Sequence, residues 1–145
     1  MYEDLPNSSQ VIVKDRCYGL QIKIMGKEDY QSYIAFYMRH DNPHGVHPYG
    51  EGEVVLLRYY GKIIGSAIII PSNEETCFIH HVLIDKEFRG RGFGTILLAV
   101  ATFYAQQKYR VVAAMFRDRE LYTKLYAESG YRPLQLMKTE AESCL

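Results

Sequence analysis

Three glycines alternate with larger residues in the segment FRGRGFG. Gly90, Gly92 and Gly94 omit side chains where a strand-like segment meets a helical one, so backbone N–H groups can approach a ligand closely. Unpaired N–H groups at a helix N-terminus favour an anion, and Arg89 and Arg91 add positive charge beside them. The segment therefore predicts a phosphate or pyrophosphate site. The glycines alone fit equally well a turn that packs the helix onto a sheet.

Two familiar phosphate-binding loops fit this sequence badly. No G-x-x-x-x-G-K-[ST] segment is present, which argues against a nucleotide-hydrolysing P-loop. A dinucleotide fold places its glycines early in the chain, with an acidic residue about 20 residues later. Here the glycines come late, and the strand-like RVVAAMF that follows ends in Arg117 before Asp118.

Two neighbouring histidines, His80 and His81, lie in an apolar segment, residues 77–85, that is predicted to be a central strand. Histidine titrates near neutrality and can therefore take a proton from an attacking group. Strict alternation places His80 on one face with Val82 and Ile84, whereas a bulge would change which histidine faces a cleft. A histidine that is merely packed within the strand fits the pattern equally well.

A second group of histidines, His40, His44 and His47, lies in residues 40–52 with Asp41 nearby. The many glycines and prolines of this segment predict a loop. They give the side chains no fixed ligand geometry, so we expect no metal site there.

The segments that must position these residues alternate between strand and helix patterns. Strands are predicted over residues 11–13, 18–25, 53–60, 62–70, 77–85, 110–116 and 131–137, and helices over 27–39, 95–107 and 119–129. Gly61 forms the turn between the third and fourth strands. In the longest helix, Leu97, Val100, Ala101 and Tyr104 recur at helical steps and are expected to face the sheet. The order predicts an α/β (α+β mixed) fold, a mixed central sheet flanked by helices, in one domain spanning residues 1–145.

Composition narrows the class of protein. The 145 residues are 48% hydrophobic and 23% charged, with a formal net charge of zero, so we expect neither nucleic acid nor a membrane as partner. Cys17, Cys77 and Cys144 match neither a metal-ligand spacing nor a disulfide framework. Reduced thiols and the lack of a signal-peptide pattern predict a cytoplasmic location.

The glycine segment and a second segment downstream together resemble a known family. RGRGFG is similar to the R/Q-x-x-G-x-G/A signature of the GNAT superfamily of acyl-CoA-dependent N-acyltransferases. The preceding DKEF and the following helix match the family's context, and LYAESGY resembles its second motif. The resemblance covers residues 78–133 and implies a single GNAT-like domain that uses acetyl-CoA to acetylate an amine.

The resemblance also implies how acetyl-CoA is bound. The CoA pyrophosphate would lie on the loop, held by backbone amides and flanked by the charge of Arg89. The pantetheine arm would run beside the preceding strand, through main-chain contacts only. The residues assigned to these two contacts are Arg91, Gly92, Phe93, Gly94 and Thr95 for the pyrophosphate, and Val82, Leu83 and Ile84 for the pantetheine.

Two side chains take catalytic roles if the resemblance holds. His80 stands where family members often carry a glutamate or histidine facing the acceptor, which makes it the candidate base; His81 and a water chain are the alternatives. Tyr126 aligns with the tyrosine that protonates the CoA thiolate in many members. Arg119 and Tyr122 depart from the usual asparagine and small residue, which puts one pantetheine contact in doubt.

The remaining expectations concern partners. The loop over residues 40–52 borders the acceptor site in the family, and dimers are frequent there, so a homodimer is compatible with the resemblance. The amine acceptor is not readable from the sequence. Because a fold does not fix a function, a non-catalytic acyl-CoA-binding module is the alternative to an enzyme.

Overall fold

The computed structural model describes residues 2–15, 19–40 and 52–114. Every strand and helix predicted inside these ranges is present, with shifted ends. The strands are β1 (Gln10–Asp15), β2 (Leu20–Ile24), β3 (Glu53–Tyr59), β4 (Lys62–Pro71), β5 (Thr76–Ile84) and β6 (Val111–Ala114), and the helices are α1 (Tyr30–Met38) and α2 (Phe93–Gln106). The predictions over residues 119–129 and 131–137 lie outside the described residues.

The described strands form one mixed sheet in the order β1-β2-β3-β4-β5-β6. Neighbours from β1 to β5 are antiparallel, whereas β5 and β6 are parallel. The parallel pair needs a crossover connection, and α2 provides it. The mixed α/β class predicted from the sequence is therefore confirmed.

Each face of the sheet carries its own apolar core, because alternate strand residues point to opposite faces. Buried side chains of β2 to β5 pack against Leu97 and Leu98 of α2 on one face. On the other face, Leu56 and Ile68 pack against Tyr33 and Phe36 of α1. Full burial of such a side chain stabilises the fold by roughly 1.5–3 kcal/mol, so both helices are fixed to the sheet mainly by this packing.

The turn between β3 and β4 uses two residues with positive φ. Tyr59 pairs with Lys62, which leaves Tyr60 (φ 50°) and Gly61 (φ 81°) as the turn. Positive φ at both central positions is the mark of a type I′ hairpin, whose twist matches that of the strands. The sequence identified Gly61 but not Tyr60, since a tyrosine rarely adopts this conformation.

A short 3-10 turn, Lys27–Asp29, precedes α1, so the single helix predicted over residues 27–39 is too long. Asp29 explains the break. Its buried carboxylate accepts a hydrogen bond from the Gly26 N–H at 3.1 Å and pairs with Lys23 at 2.6 Å and Arg58 at 3.0 Å. Burial alone would raise the pKa of Asp29, but these hydrogen bonds outweigh it and lower the pKa. The charged cluster therefore fixes the start of α1 to β2 and β3.

Cys77 is buried in the core between β5 and α2. Burial, followed by the charge of Glu53, raises the pKa of the Cys77 thiol to about 12. The thiol therefore stays protonated at neutral pH and acts as a small apolar side chain.

Neither of the two described α-helices is long and apolar enough to cross a membrane.

Candidate active site

Strand β5 contains a bulge next to the two histidines. His80 pairs with Ile68 of β4, and Leu83 pairs with Ser66, so two residues of β5 oppose the single residue Ala67. An extra residue in one strand reverses the alternation beyond it. Side chains that strict alternation would place on one face therefore lie on opposite faces if the bulge separates them.

The bulge corrects the prediction for His80. Directly paired residues point to the same face, and Ile68 belongs to the core beneath α1. Val82 and Ile84 pack in the core beneath α2. His80 consequently lies on the α1 face, opposite to Val82 and Ile84, and the prediction that all three share one face is wrong. The side chain of His81, the alternative base, lies outside what the structure describes.

The His80 ring is partly buried and lies 6.1 Å from the Phe78 ring, centroid to centroid. Burial disfavours the charged imidazolium and lowers the pKa of His80 below its ordinary value of 6.5. A neutral imidazole at pH 7 can accept a proton, as a general base must.

The β6 side of β5 has a described partner strand before the bulge but not after it. The described pairing with β6 runs from Thr76, opposite Val111, to Ile79, opposite Ala114. Among the described residues, no strand lies beside Val82 and Leu83 on that edge. The main chain of Val82 and Leu83, which is assigned to pantetheine, therefore has no described neighbouring strand on the β6 side of β5.

The glycine segment leads directly into α2. Gly92 is the N-cap residue of α2 and has φ 86°, and Gly90 has φ 78°. A Cβ added at either position meets no atom within 4 Å, so the backbone conformation, and not lack of space, requires glycine there. At Gly94 an added Cβ would touch Ile84 at 3.6 Å, an ordinary contact.

The first turn of α2 presents free backbone donors. The first helical hydrogen bond runs from the Ile96 N–H to the Gly92 carbonyl at 3.1 Å, and no described side chain caps this end. The N–H groups that precede Ile96 therefore have no helical acceptor. These belong to Gly92, Phe93, Gly94 and Thr95, four of the five residues assigned to the pyrophosphate.

The two arginines of the segment are exposed but anchored. The Arg89 Nε donates to the Ile84 carbonyl at 2.9 Å, which ties the loop to the end of β5. The Arg91 guanidinium lies 5.4 Å from the centroid of the Phe88 ring, within the range of a cation–π contact. Both charges are thus held close to the first turn of α2.

An aromatic cluster beneath the loop was not found from the sequence. The Phe93 ring lies 5.2 Å from that of Tyr59 and 6.0 Å from that of Phe88, centroid to centroid. Pairs at such separations stabilise beyond the area they bury. Phe93 therefore anchors the loop with its side chain while its amide belongs to the donor set. Because Tyr59 is remote in sequence, no spacing pattern could have indicated the cluster.

Asp85, which joins β5 to the loop, has partners that the sequence also did not reveal. Its carboxylate lies 3.2 Å from an Arg39 nitrogen and 3.2 Å from the His40 Nε2. Both partners stand at the C-terminal end of α1, 46 and 45 residues earlier in the chain. The contact therefore joins α1 to the strand end that carries the loop.

Several predicted residues fall outside the described residues. Tyr126, Arg119 and Tyr122 are among them, as are residues 41–51 of the histidine-rich segment. In the part of the chain that is described, no group of His, Cys, Asp and Glu side chains could hold a metal ion.

An open depression of about 490 Å³ lies between α1 and the β3–β4 hairpin, and no residue of α2 lines it. Two of its lining cations are already paired, Arg58 with Asp29 and Arg39 with Asp85. The donor geometry of the loop indicates a ligand site more strongly than this depression does.

A model of a known protein family matches most of this chain. The model of the family described as Acetyltransferase (GNAT) matches residues 17–131. No curated protein sequence matches the chain significantly.

Similar solved structures share the fold at low sequence identity. A GNAT family acetyltransferase from Elizabethkingia anophelis with acetyl-CoA bound is 20% identical, with a TM-score of 0.52 over 79% of this chain and 76% of that one. The IAA acetyltransferase from Bacillus cereus is 19% identical, with a TM-score of 0.59 over 78% and 77%. An aminoglycoside N-acetyltransferase, AAC(6')-Iy, in complex with CoA is 15% identical, with a TM-score of 0.57 over 85% and 94%. Since the family model spans most of the sequence, the chain belongs to the acetyltransferase (GNAT) family.

Proposed function

We propose that this protein transfers an acetyl group from acetyl-CoA to a primary amine of a small molecule or protein, by direct attack in a ternary complex. The observation that carries the proposal is the N-terminus of α2, where Gly92 holds a left-handed conformation and no described side chain caps the amides. Such an end favours a pyrophosphate. It directly follows the bulged strand that carries His80.

The proposed binding mode assigns the CoA pyrophosphate to backbone amides and nearby charge. The amides are those of Arg91, Gly92, Phe93, Gly94 and Thr95, and the side chains of Arg89 and Arg91 supply positive charge. The pantetheine arm contacts the main chain of Val82, Leu83 and Ile84. Burial of the Ile84 side chain in the α2 core supports a contact made only by backbone.

In the reaction, the neutral amine nitrogen attacks the thioester carbonyl carbon, and the carbonyl electrons move onto oxygen. The tetrahedral intermediate then collapses, the C–S bond breaks, and the thiolate of CoA leaves. His80 accepts the proton that the attacking nitrogen loses, because its lowered pKa keeps the imidazole neutral near pH 7. Tyr126 donates a proton to the departing thiolate.

The acceptor is proposed only as a class. One similar structure is an aminoglycoside acetyltransferase with the bisubstrate analogue CoA-S-monomethyl-acetylneamine, and this favours amines of small polar molecules as the first acceptors to test. We further infer one domain over residues 1–145 and a cytoplasmic location; a homodimer is compatible with the family resemblance.

Release of free CoA thiol tests the proposal. Purified protein with acetyl-CoA is offered a panel of aminoglycosides, polyamines and lysine peptides, and we expect thiol release that depends on one of these amines. Binding of acetyl-CoA without amine-dependent release would instead support a non-catalytic acyl-CoA-binding module.

Tyr126→Phe tests the proposed acid in the same assay. The substitution removes only the hydroxyl, so we expect turnover to fall by about 10²-fold, the lower end for a lost general acid, while acetyl-CoA binding persists. Full turnover in Tyr126→Phe would remove this role.

A further inference from the structure

The carboxylate of Asp85, the residue that directly follows β5, is held from two sides. One oxygen is 3.2 Å from the Arg39 guanidinium, and the other is 3.2 Å from the Nε2 of His40. The residue is only 8% exposed. A buried carboxylate needs such partners, because desolvation of an unpaired charge is costly.

The backbone of Asp85 fixes the start of the loop between β5 and α2. Its N–H donates to the Ile64 carbonyl of β4 at 2.8 Å, and its own carbonyl accepts the Phe88 N–H at 2.9 Å. Phe88 in turn packs against Phe93 in the first turn of α2. A change in the orientation of Asp85 is therefore transmitted to the residues that carry the pyrophosphate-binding amides.

The partners of Asp85 are themselves fixed to α1 and β4. Arg39 also donates to the Ile63 carbonyl at 3.4 Å. The His40 Nδ1 lies 2.9 Å from the Phe36 carbonyl, one helical turn earlier, and its ring is 4.6 Å from the buried Phe36 ring, centroid to centroid. The two side chains that hold Asp85 thus stand at a helix end that is packed into the core.

We infer that Asp85, clasped by Arg39 and His40, is a positioning residue for acetyl-CoA. It contacts no reacting atom; it holds the loop between β5 and α2 so that the amides converge on the pyrophosphate. The inference rests on the proposed function, because it needs acetyl-CoA to bind at α2. Its specific consequence is that an interaction on the α1 face of the sheet sets the affinity for the co-substrate.

Asp29 supplies the matched control for Asp85. It is also a buried carboxylate with two basic partners, here Lys23 and Arg58, and it is 1% exposed. Its described partners are Lys23 of β2, Arg58 of β3 and the N–H group of Gly26. None of them belongs to the loop before α2. Asp29→Asn should therefore cost stability as Asp85→Asn does, without disturbing the loop.

The test measures the Kd of acetyl-CoA by titration calorimetry, and urea unfolding, for the wild type, Asp85→Asn and Asp29→Asn. We expect both variants to unfold at lower urea, and only Asp85→Asn to bind acetyl-CoA about tenfold more weakly, the equivalent of roughly one charge-assisted hydrogen bond. In turnover, the same variant should show a raised KM for acetyl-CoA with kcat within about twofold of wild type. Wild-type affinity in Asp85→Asn, or equal weakening in Asp29→Asn, would overturn the inference.

A milder pair of variants keeps the inference testable if Asp85→Asn does not fold. The Arg39 side chain is 46% exposed, and Lys108, paired with Glu53 at 3.0 Å, is 47% exposed. Arg39→Ala should weaken acetyl-CoA binding several-fold, with recovery in Arg39→Lys, whereas Lys108→Ala should bind as the wild type does. Equal binding by Arg39→Ala and Lys108→Ala would contradict the inference. If the wild type itself fails to bind acetyl-CoA, the proposed function falls, and the positioning role falls with it.

Discussion

The His80 side chain is partly buried, which favours its neutral form, and it lies on the α1 face of β5. Burial lowers its pKa below 6.5, so the neutral imidazole predominates at neutral pH. Its position follows from the bulge, which pairs it with Ile68. The proposed role as base needs a neutral ring, and it also needs the ring to face the acceptor amine.

The His80→Gln variant tests the proposed role of His80 as the base, through the rate of acetyl transfer and the pH dependence of that rate. In the wild type, acetyl transfer should fall as pH drops through the pKa of His80, below 6.5, because protonation removes the base. His80→Gln should lower the rate by about 10²-fold, as loss of a general base typically does, and should abolish this acidic limb. The measurement is kcat/KM from pH 5 to 8 for both proteins.

His81→Gln is the matched control, since it removes the neighbouring imidazole from the same strand. We expect it to retain the acidic limb of the wild type. An unchanged rate and pH profile in His80→Gln would exclude His80 as the base, and loss of the limb in His81→Gln alone would assign the role to His81.

At the scale of elements, α2 is held differently at its two ends. Its N-terminus is left without a side-chain cap, whereas near its C-terminus the Tyr104 hydroxyl donates to Glu53 of β3 at 2.7 Å. Lys108 pairs with the other oxygen of Glu53 at 3.0 Å. Burial alone would lower the pKa of Lys108, but Tyr104 and Glu53 outweigh it and raise the pKa. One end therefore supplies stability and the other supplies donors for a ligand.

Tyr104→Phe separates these two roles. Loss of the hydroxyl removes a hydrogen bond to a charged group, so we expect the free energy of unfolding to fall by about 1.5–3 kcal/mol, with the Kd for acetyl-CoA unchanged. Urea denaturation and calorimetry measure the two quantities. Tyr109→Phe is the control, because the Tyr109 hydroxyl has no hydrogen-bond partner among the described residues. Equal loss of stability in both variants would contradict the assignment.

The sequence predicted most of the elements and the glycine loop because these depend on local patterns. Apolar periodicity located β3, β4, β5 and α2 to within a few residues, and the glycine segment stands directly before α2 as predicted. The bulge in β5 could not be predicted from the sequence, because it depends on the pairing register between β5 and β4. For the same reason, the contact of Asp85 with Arg39 could not be read from spacing.

At the scale of the whole molecule, the sheet brings three parts of the proposed site to one strand. β5 carries His80, the main chain assigned to pantetheine, and the loop that begins α2. α1 and α2 fix this strand from opposite faces. Co-substrate binding should therefore stabilise the folded chain as a unit, by an amount that grows with ligand concentration.

Gly92→Glu tests whether the N-terminus of α2 is the site of that binding, and Gly61→Glu is its control. Both glycines have φ near 80–90°, at 86° and 81°, and an added Cβ meets no atom within 4 Å at either. Each substitution therefore adds the same charge and a similar backbone strain of about 1–2 kcal/mol. Only Gly92→Glu places a carboxylate beside the amides proposed for the pyrophosphate.

The most direct measurement is the shift in Tm of these three proteins with acetyl-CoA, CoA, ATP and NAD. We predict that both CoA species raise the Tm of the wild type and of Gly61→Glu, that neither raises the Tm of Gly92→Glu, and that ATP and NAD have no effect. A wild-type Tm unmoved by acetyl-CoA and CoA, or a full shift in folded Gly92→Glu, would contradict the account.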